Sequence, residues 1–183
     1  MRVIAGEFRG RRLKTPDWPG LRPTSDRLRE TLFNILAPRI AGAAVLDGYA
    51  GTGAVGIEAL SRGAAHVTFV EQDRRASALI EANLQALGVT DRYAIIRAGF
   101  AGAARQLSGG FHVIFVDPPY GAAHLGEAVA AAAPFVTGDT LLIVEHAARD
   151  MAPETVAGLV RTRQLTQGDS ALAFYECSRP HDH

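Results

Sequence analysis

Asp117-Pro118-Pro119-Tyr120 is the part of this 183-residue chain whose residue types suit one chemical task most closely. An exocyclic amino group on a nucleobase is a poor nucleophile, because its lone pair is delocalised into the ring. Two acceptors that hold its hydrogens can turn that lone pair toward an electrophile. The Asp117 carboxylate and the Pro118 carbonyl would be those acceptors. Successive prolines fix φ and bring no N–H of their own, so the direction of the carbonyl is rigid. Tyr120 adds a face on which a planar base can stack, worth roughly 1–3 kcal/mol. The chemistry implied is direct in-line transfer of a group to nitrogen, driven mostly by orientation and charge placement. The proton leaves the nitrogen with or after attack, to Asp117 or to water. A proline-rich turn after a strand is the plain structural alternative.

A second segment, Asp47 to Gly56, carries Gly51, Gly53 and Gly56 in the spacing G-x-G-x-x-G. Glycines at a strand-to-helix turn allow positive φ and let a ligand approach the backbone closely. Glu71 follows Gly51 by 20 residues, with Gln72 beside it, and could accept hydrogen bonds from both hydroxyls of a ribose. That spacing also suits a dinucleotide such as NAD, and such turns occur with no ligand at all. Asp47 favours a different ligand. A carboxylate four residues before the first motif glycine suits the ammonium of a methionine moiety and sits awkwardly beside a pyrophosphate. S-adenosylmethionine, leaving as S-adenosylhomocysteine, is therefore the expected cofactor. The stretch Ala98-Gly99-Phe100-Ala101 has no Asp or Asn to read an adenine amino group, so backbone and apolar contact with Phe100 is expected instead.

The elements that position these residues follow from hydrophobic pattern. β-branched or aromatic runs at Ala44–Asp47, His66–Glu71, Tyr93–Arg97, Phe111–Asp117 and Thr140–Glu145 read as strands. Helical stretches at 54–62, 74–87, 102–107 and 122–133 separate them. Strands that are apolar throughout belong to parallel sheets covered on both faces. Alternation of this kind predicts a doubly wound α/β fold, whose ligands bind at the carboxyl ends of the strands. At the end of the chain, Leu159–Thr166 and Ala171–Cys177 flank Gln167-Gly168-Asp169-Ser170, which has the turn chemistry of a hairpin. A closing antiparallel hairpin distinguishes the Rossmann-like methyltransferase fold, here a mostly parallel seven-stranded sheet, from the dehydrogenase one. At the start, Arg2–Ala5 and Arg11–Thr15 are expected to pair as a hairpin. A helix then follows with Ser25 or Thr24 as N-cap and Pro38 at its end or kink.

Composition bounds the remaining possibilities. A chain of this length suits one domain, and 48% hydrophobic content supplies a core without metals or disulfides. With Cys177 as the one cysteine, no internal disulfide can form. No run approaches the ~20 apolar residues of a membrane span, and the start lacks the apolar block of a signal peptide, so a cytoplasmic location is expected. His66, His112, His124 and His146 show no metal-ligand spacing, and His181 and His183 lie in the tail. His146 and Glu145 read mainly as packing or rim residues, with a substrate-side role as the alternative. The formal charge is zero, yet residues 1–40 hold nine basic residues against four acidic ones, a local excess of +5. A basic arm on a slightly acidic body suits a nucleic-acid contact, although a solvated segment has the same pattern.

With these residues in hand, the chain resembles the bacterial methyltransferases of the guanine-966 type, which act on guanine N2 of 16S ribosomal RNA. The likeness lies in Arg2–Gly6 and Arg9–Leu13, in Leu21–Glu30 continuing to Phe33–Leu36, and in Gly51–Gly53 with Gly56–Ala64. Val144-Glu145-His146, Gly168–Leu172 and Phe174-Tyr175 extend it to the end of the chain. The resemblance implies that Asp47, Gly51, Gly53 and Glu71 line the cofactor site, while Asp117, Pro118 and Tyr120 hold the guanine. It implies further that residues 1–40 form an RNA-contacting extension of a methyltransferase domain at 41–183. Arg9, Arg11 and Arg12 would then meet RNA backbone, and Arg22, Arg27 and Arg29 would lie beside the target base. The implied partner is ribosomal RNA on an assembling small subunit with its proteins, and the enzyme is expected to be a monomer. Adenine-N6 methylation of DNA is the nearest rival, but 183 residues leave little room for a target-recognition region. An NAD-dependent oxidoreductase would need a proton donor such as Tyr-x-x-x-Lys, and the sole lysine is Lys14. A non-enzymatic RNA-binding protein would leave Asp117–Tyr120 without a purpose.

Overall fold

The computed structural model describes residues 1–178, so His181 and His183 lie outside the described residues. Strands β1 (Ala44–Asp47), β2 (His66–Val70), β3 (Tyr93–Ile96), β4 (Val113–Val116) and β5 (Leu141–Ala147) run parallel. β6 (Thr155–Val156), β7 (Leu159–Gln167) and β8 (Ser170–Cys177) complete an eight-stranded sheet in the order β3-β2-β1-β4-β5-β8-β7-β6. β8 enters antiparallel between β5 and β7. The seven strands expected from the sequence are all present, and the eighth is β6, a two-residue strand too short to read as a pattern.

Helices cover both faces. α1 (Asp26–Ile40), α2 (Ala54–Ser61) and α3 (Arg74–Ala86) pack with Val45, Val67, Phe69, Phe115 and Ile143 on one side. α4 (Phe100–Ala103) and α5 (Ala122–Ala132) pack with Leu46, Ile114, Val116, Leu142 and Val144 on the other. Alternate residues of β1, β4 and β5 thus feed two separate cores, which is why these strands are apolar throughout. α4 begins two residues earlier than its expected Gly102 start, because Phe100 is anchored in the second core with Gly99 as its N-cap.

The amino-terminal arm forms a minimal hairpin in which Arg2 and Arg12 make the one bridge. Its stability comes from docking onto α2. The Glu58 carboxylate accepts from the Ile4 and Ala5 amides at 3.0 and 3.1 Å. The Ser61 hydroxyl donates to the Ala5 carbonyl at 2.6 Å and accepts from the Phe8 amide at 3.0 Å. Val3, Phe8 and Leu13 enter the same core as Ile57 and Leu60, so apolar packing crosses the boundary expected at residue 40. Ser25 caps α1 by accepting from the Leu28 amide. That helix runs through Pro38 to Ile40; the carbonyl Pro38 leaves without a partner belongs to exposed Asn34, where water can satisfy it.

Candidate active site

Parallel strands bring all their carboxyl ends to one edge, and a cavity of about 880 Å³ opens there. Asp47 ends β1, Glu71 follows β2, Asp117 follows β4 and Glu145 lies near the end of β5; all four line the cavity. Gly51, Pro118 and Tyr120 line it too, so the glycine loop and the Asp117–Tyr120 segment face one space. The segment Trp18–Ser25, which leads into α1, forms the opposite wall, and Asp169 and Ser170 contribute from the β7–β8 turn.

The glycine loop is built by helix α2. Gly53, at φ +78°, is its N-cap, and the Asp47 carboxylate accepts from the Gly56 amide at 3.1 Å, satisfying an amide of the first turn. A Cβ on Gly56 would stand 2.3 Å from the Phe69 ring, so the third motif glycine serves helix–strand packing. Burial pushes the Asp47 carboxyl up to about 7, against the lowering effect of the Gly56 hydrogen bond, with the Glu71 charge adding to the rise. Glu71 is held by the Gly51 amide at 2.7 Å and the Asp73 amide at 3.0 Å. Each carboxylate oxygen keeps capacity for further donors. A small hollow of about 60 Å³ adjoins this loop between Gln72, Gly99 and Phe100. Phe100 is buried and stacks at a tilt on Tyr49, with ring centroids 5.3 Å apart. Its face therefore backs the hollow and does not reach the main cavity.

On the other side of the cavity, Asp117 is half-buried and its carboxylate accepts no hydrogen bond from a described residue, and neither does the Pro118 carbonyl. Two acceptors without donors, at a cavity wall, are what an incoming amine requires. Burial raises the Asp117 carboxyl well above its usual range, and the charges of Glu145 and Asp47 raise it further. Tyr120 is 64% exposed, and the Arg149 guanidinium lies 5.8 Å from its ring centre. An exposed aromatic ring beside the two acceptors is free to stack on a base.

The six arginines expected to meet RNA separate in space. Arg22 lines the cavity, and Arg27 is exposed on α1. Arg29 is fully buried and cannot touch a substrate: it shares the inward stripe of α1 with Leu28, Leu32, Phe33 and Leu36. Its guanidinium donates to the Arg2 carbonyl and to Asp26, so it ties α1 to the arm. Arg9, Arg11 and Arg12 are exposed but do not reach the cavity. The turn of the arm packs on Ser61 at the end of α2, and Glu7 pairs with Arg92 just before β3. That turn therefore lies toward the opposite edge of the sheet, where Arg11 donates to the Ala86 carbonyl at the end of α3. Tyr49, Thr24 and Glu145 join the cavity without having been assigned to the site from the sequence. Counting residues along β5 to the edge shared with Asp117 would have found Glu145.

Residues 1–176 match the model of the family described as "Conserved hypothetical protein 95". "Putative rRNA methyltransferase YlbH" of Bacillus subtilis (strain 168) is 38% identical over 183 residues, covering 96% of this chain and 98% of that protein. "Ribosomal RNA small subunit methyltransferase D" of Escherichia coli (strain K12) is 38% identical over 178 residues, covering 96% and 89% respectively. The solved structure described as "Putative methyltransferase yhhF from Escherichia coli" superposes with a TM-score of 0.86 at 35% identity, covering 97% of each chain. A Rossmann-like methyltransferase fold, a cavity joining the glycine loop to Asp117–Tyr120, and similarity along nearly the whole length agree. The chain belongs to the Conserved hypothetical protein 95 family, that of the small-subunit ribosomal RNA methyltransferase D proteins.

Proposed function

We propose that this protein methylates the exocyclic N2 amine of a guanine in 16S ribosomal RNA of the small subunit, using S-adenosylmethionine. The observation that carries the reading is the pair of unpartnered acceptors, the Asp117 carboxylate and the Pro118 carbonyl, facing the cavity shared with Asp47 and Glu71. The names of the relatives support ribosomal RNA as the substrate class. An assembling small subunit with its proteins, met in the cytoplasm by a monomeric enzyme, is the context we infer. Residues 1–40 serve there as the RNA-contacting extension of the methyltransferase domain at 41–183, with Arg9, Arg11 and Arg12 meeting phosphates at a distance from the target.

The residues fit the cofactor. Asp47 offers a buried carboxylate for an ammonium, and Glu71 has acceptor capacity for ribose hydroxyls. Positive φ at Gly51 (56°) and Gly53 (78°) opens the backbone between them. The Gln72, Gly99 and Phe100 hollow adjoins Glu71 and offers backbone and an apolar wall for the adenine. S-adenosylmethionine, when bound, supplies the methyl group as an activated sulfonium. Asp117 and the Pro118 carbonyl hold the amine hydrogens and aim its lone pair into the cavity, while Tyr120 stacks on the base. A carboxyl raised as Asp117 is can also hold the proton the nitrogen loses. Mapping N2-methylguanine in ribosomal RNA from cells with and without the protein tests the reading. One modified guanine should disappear from 16S RNA with the gene and return with it; unchanged modification would overturn the proposal.

A further inference from the structure

Asp117 and the Pro118 carbonyl explain how an exocyclic amine is held, but adenine N6 and guanine N2 satisfy them equally. The ring nitrogen N1 beside that amine is what differs. In guanine it carries a hydrogen and donates; in adenine it is a bare acceptor. A site that selects guanine therefore needs one more acceptor next to Asp117.

Strand register supplies it. Val116 of β4 pairs with Val144 of β5, so the following residues, Asp117 and Glu145, reach the carboxyl edge of the sheet from neighbouring strands. Both line the cavity. Glu145 is 9% exposed, and its Oε2 accepts from the Thr24 hydroxyl at 2.9 Å. No other described residue bonds to its carboxylate, and no described cation pairs with it. Two carboxylates side by side in a buried site, without a cation, repel each other, and burial raises both. If Glu145 served only to hold Thr24, a neutral amide would do so without that cost. A ligand that brings two adjacent hydrogen-bond donors relieves it.

We propose that Glu145 selects guanine by accepting the N1–H hydrogen bond through Oε1, while Thr24 fixes Oε2 and so positions the carboxylate. The inference rests on guanine N2 being the methyl acceptor. The probe is 2-aminopurine, which keeps the 2-amino group but has no hydrogen on N1. Small subunits are reconstituted from 16S RNA ligated around a synthetic segment that carries either guanine or 2-aminopurine at the mapped nucleotide. The wild-type enzyme should prefer guanine by roughly a hundredfold or more in kcat/KM, as expected where a site's buried polar group is left unpaired. Glu145→Gln can turn an amide N–H toward the bare nitrogen, so the preference should shrink by at least about tenfold. Thr24→Val should shrink it less. Calorimetry with S-adenosylhomocysteine reports whether each variant is folded; if Glu145→Gln does not bind it, the Thr24→Val ratio decides. A preference unchanged in the variant, or absent from the wild type, overturns the role of Glu145. Failure of the wild type to methylate guanine at all overturns the underlying proposal instead.

Discussion

At the scale of single residues, the site is a set of carboxylates held out of water at neighbouring strand ends. Asp47, Asp117 and Glu145 are all displaced upward chiefly by burial, so ionising them in the protein without its ligands is costly. For Asp47 the sign is definite. Its folded-state pKa of about 7 exceeds the ordinary 3.8, so the folded form holds the extra proton between those values. Stability of the free protein should therefore decline as pH rises across that window. Asp47→Asn should raise the Tm of the free protein at pH 8 and flatten its pH dependence. It should also weaken S-adenosylhomocysteine binding by roughly tenfold or more, about 1.4 kcal/mol, because an amide cannot pair with an ammonium. Thermal unfolding and calorimetry across pH 5–8 check both effects. Asp117→Ala should lower turnover by at least about a hundredfold while S-adenosylhomocysteine affinity changes less than roughly threefold; retained turnover would remove Asp117 from the chemistry.

At the scale of elements, the arm is seated by close backbone approach and not by strand pairing. Gly6 adopts φ +86°, and a Cβ there would lie 1.9 Å from the Ser61 carbonyl oxygen. Gly6→Ala should cost about 2–4 kcal/mol, from backbone strain together with the clash. Its Tm should fall by roughly 5–10 °C in thermal unfolding, and a change under about 1 °C would show the arm is not seated this way. The core strands and the larger helices were legible because their period and apolar runs are strong. The minimal hairpin and the start of α4 were less so, because docking onto α2 and burial of Phe100 decide them and local pattern does not. Thr24 illustrates the same limit. Either Thr24 or Ser25 could cap α1; Ser25 takes that role, and Thr24 bonds to a residue 121 positions away.

At the scale of the whole molecule, the basic excess of residues 1–40 divides between two regions. Arg22 stands at the cavity, whereas Arg9 and Arg11 lie toward the other edge of the sheet and Arg29 is internal. An RNA that reaches both regions must span the arm. Neutralising Arg9, Arg11 and Arg12 should then weaken RNA binding and lower the slope of log K against log salt by about 0.7–0.9 for each phosphate that no longer meets an arginine. Arg22→Ala should act mainly on turnover of the target nucleotide. Binding titrations from 50 to 200 mM salt separate the two, and an unchanged slope in the triple variant would remove the arm from the RNA interface.

The α/β alternation, the closing hairpin, the glycine loop with its acidic neighbours and the acceptor and aromatic character of Asp117–Tyr120 are legible in residue order alone. These are local properties: periodicity, turn chemistry and the donor and acceptor character of a few consecutive residues. Tertiary structure alone decided which basic residues can reach a substrate and which carboxylates stand together. Arg29 looks like any other arginine until the inward stripe of α1 buries it. Glu145 looks like a rim residue until the pairing of Val116 with Val144 sets it beside Asp117. Burial and cross-strand register depend on contacts between residues distant in the chain, and no local pattern encodes them.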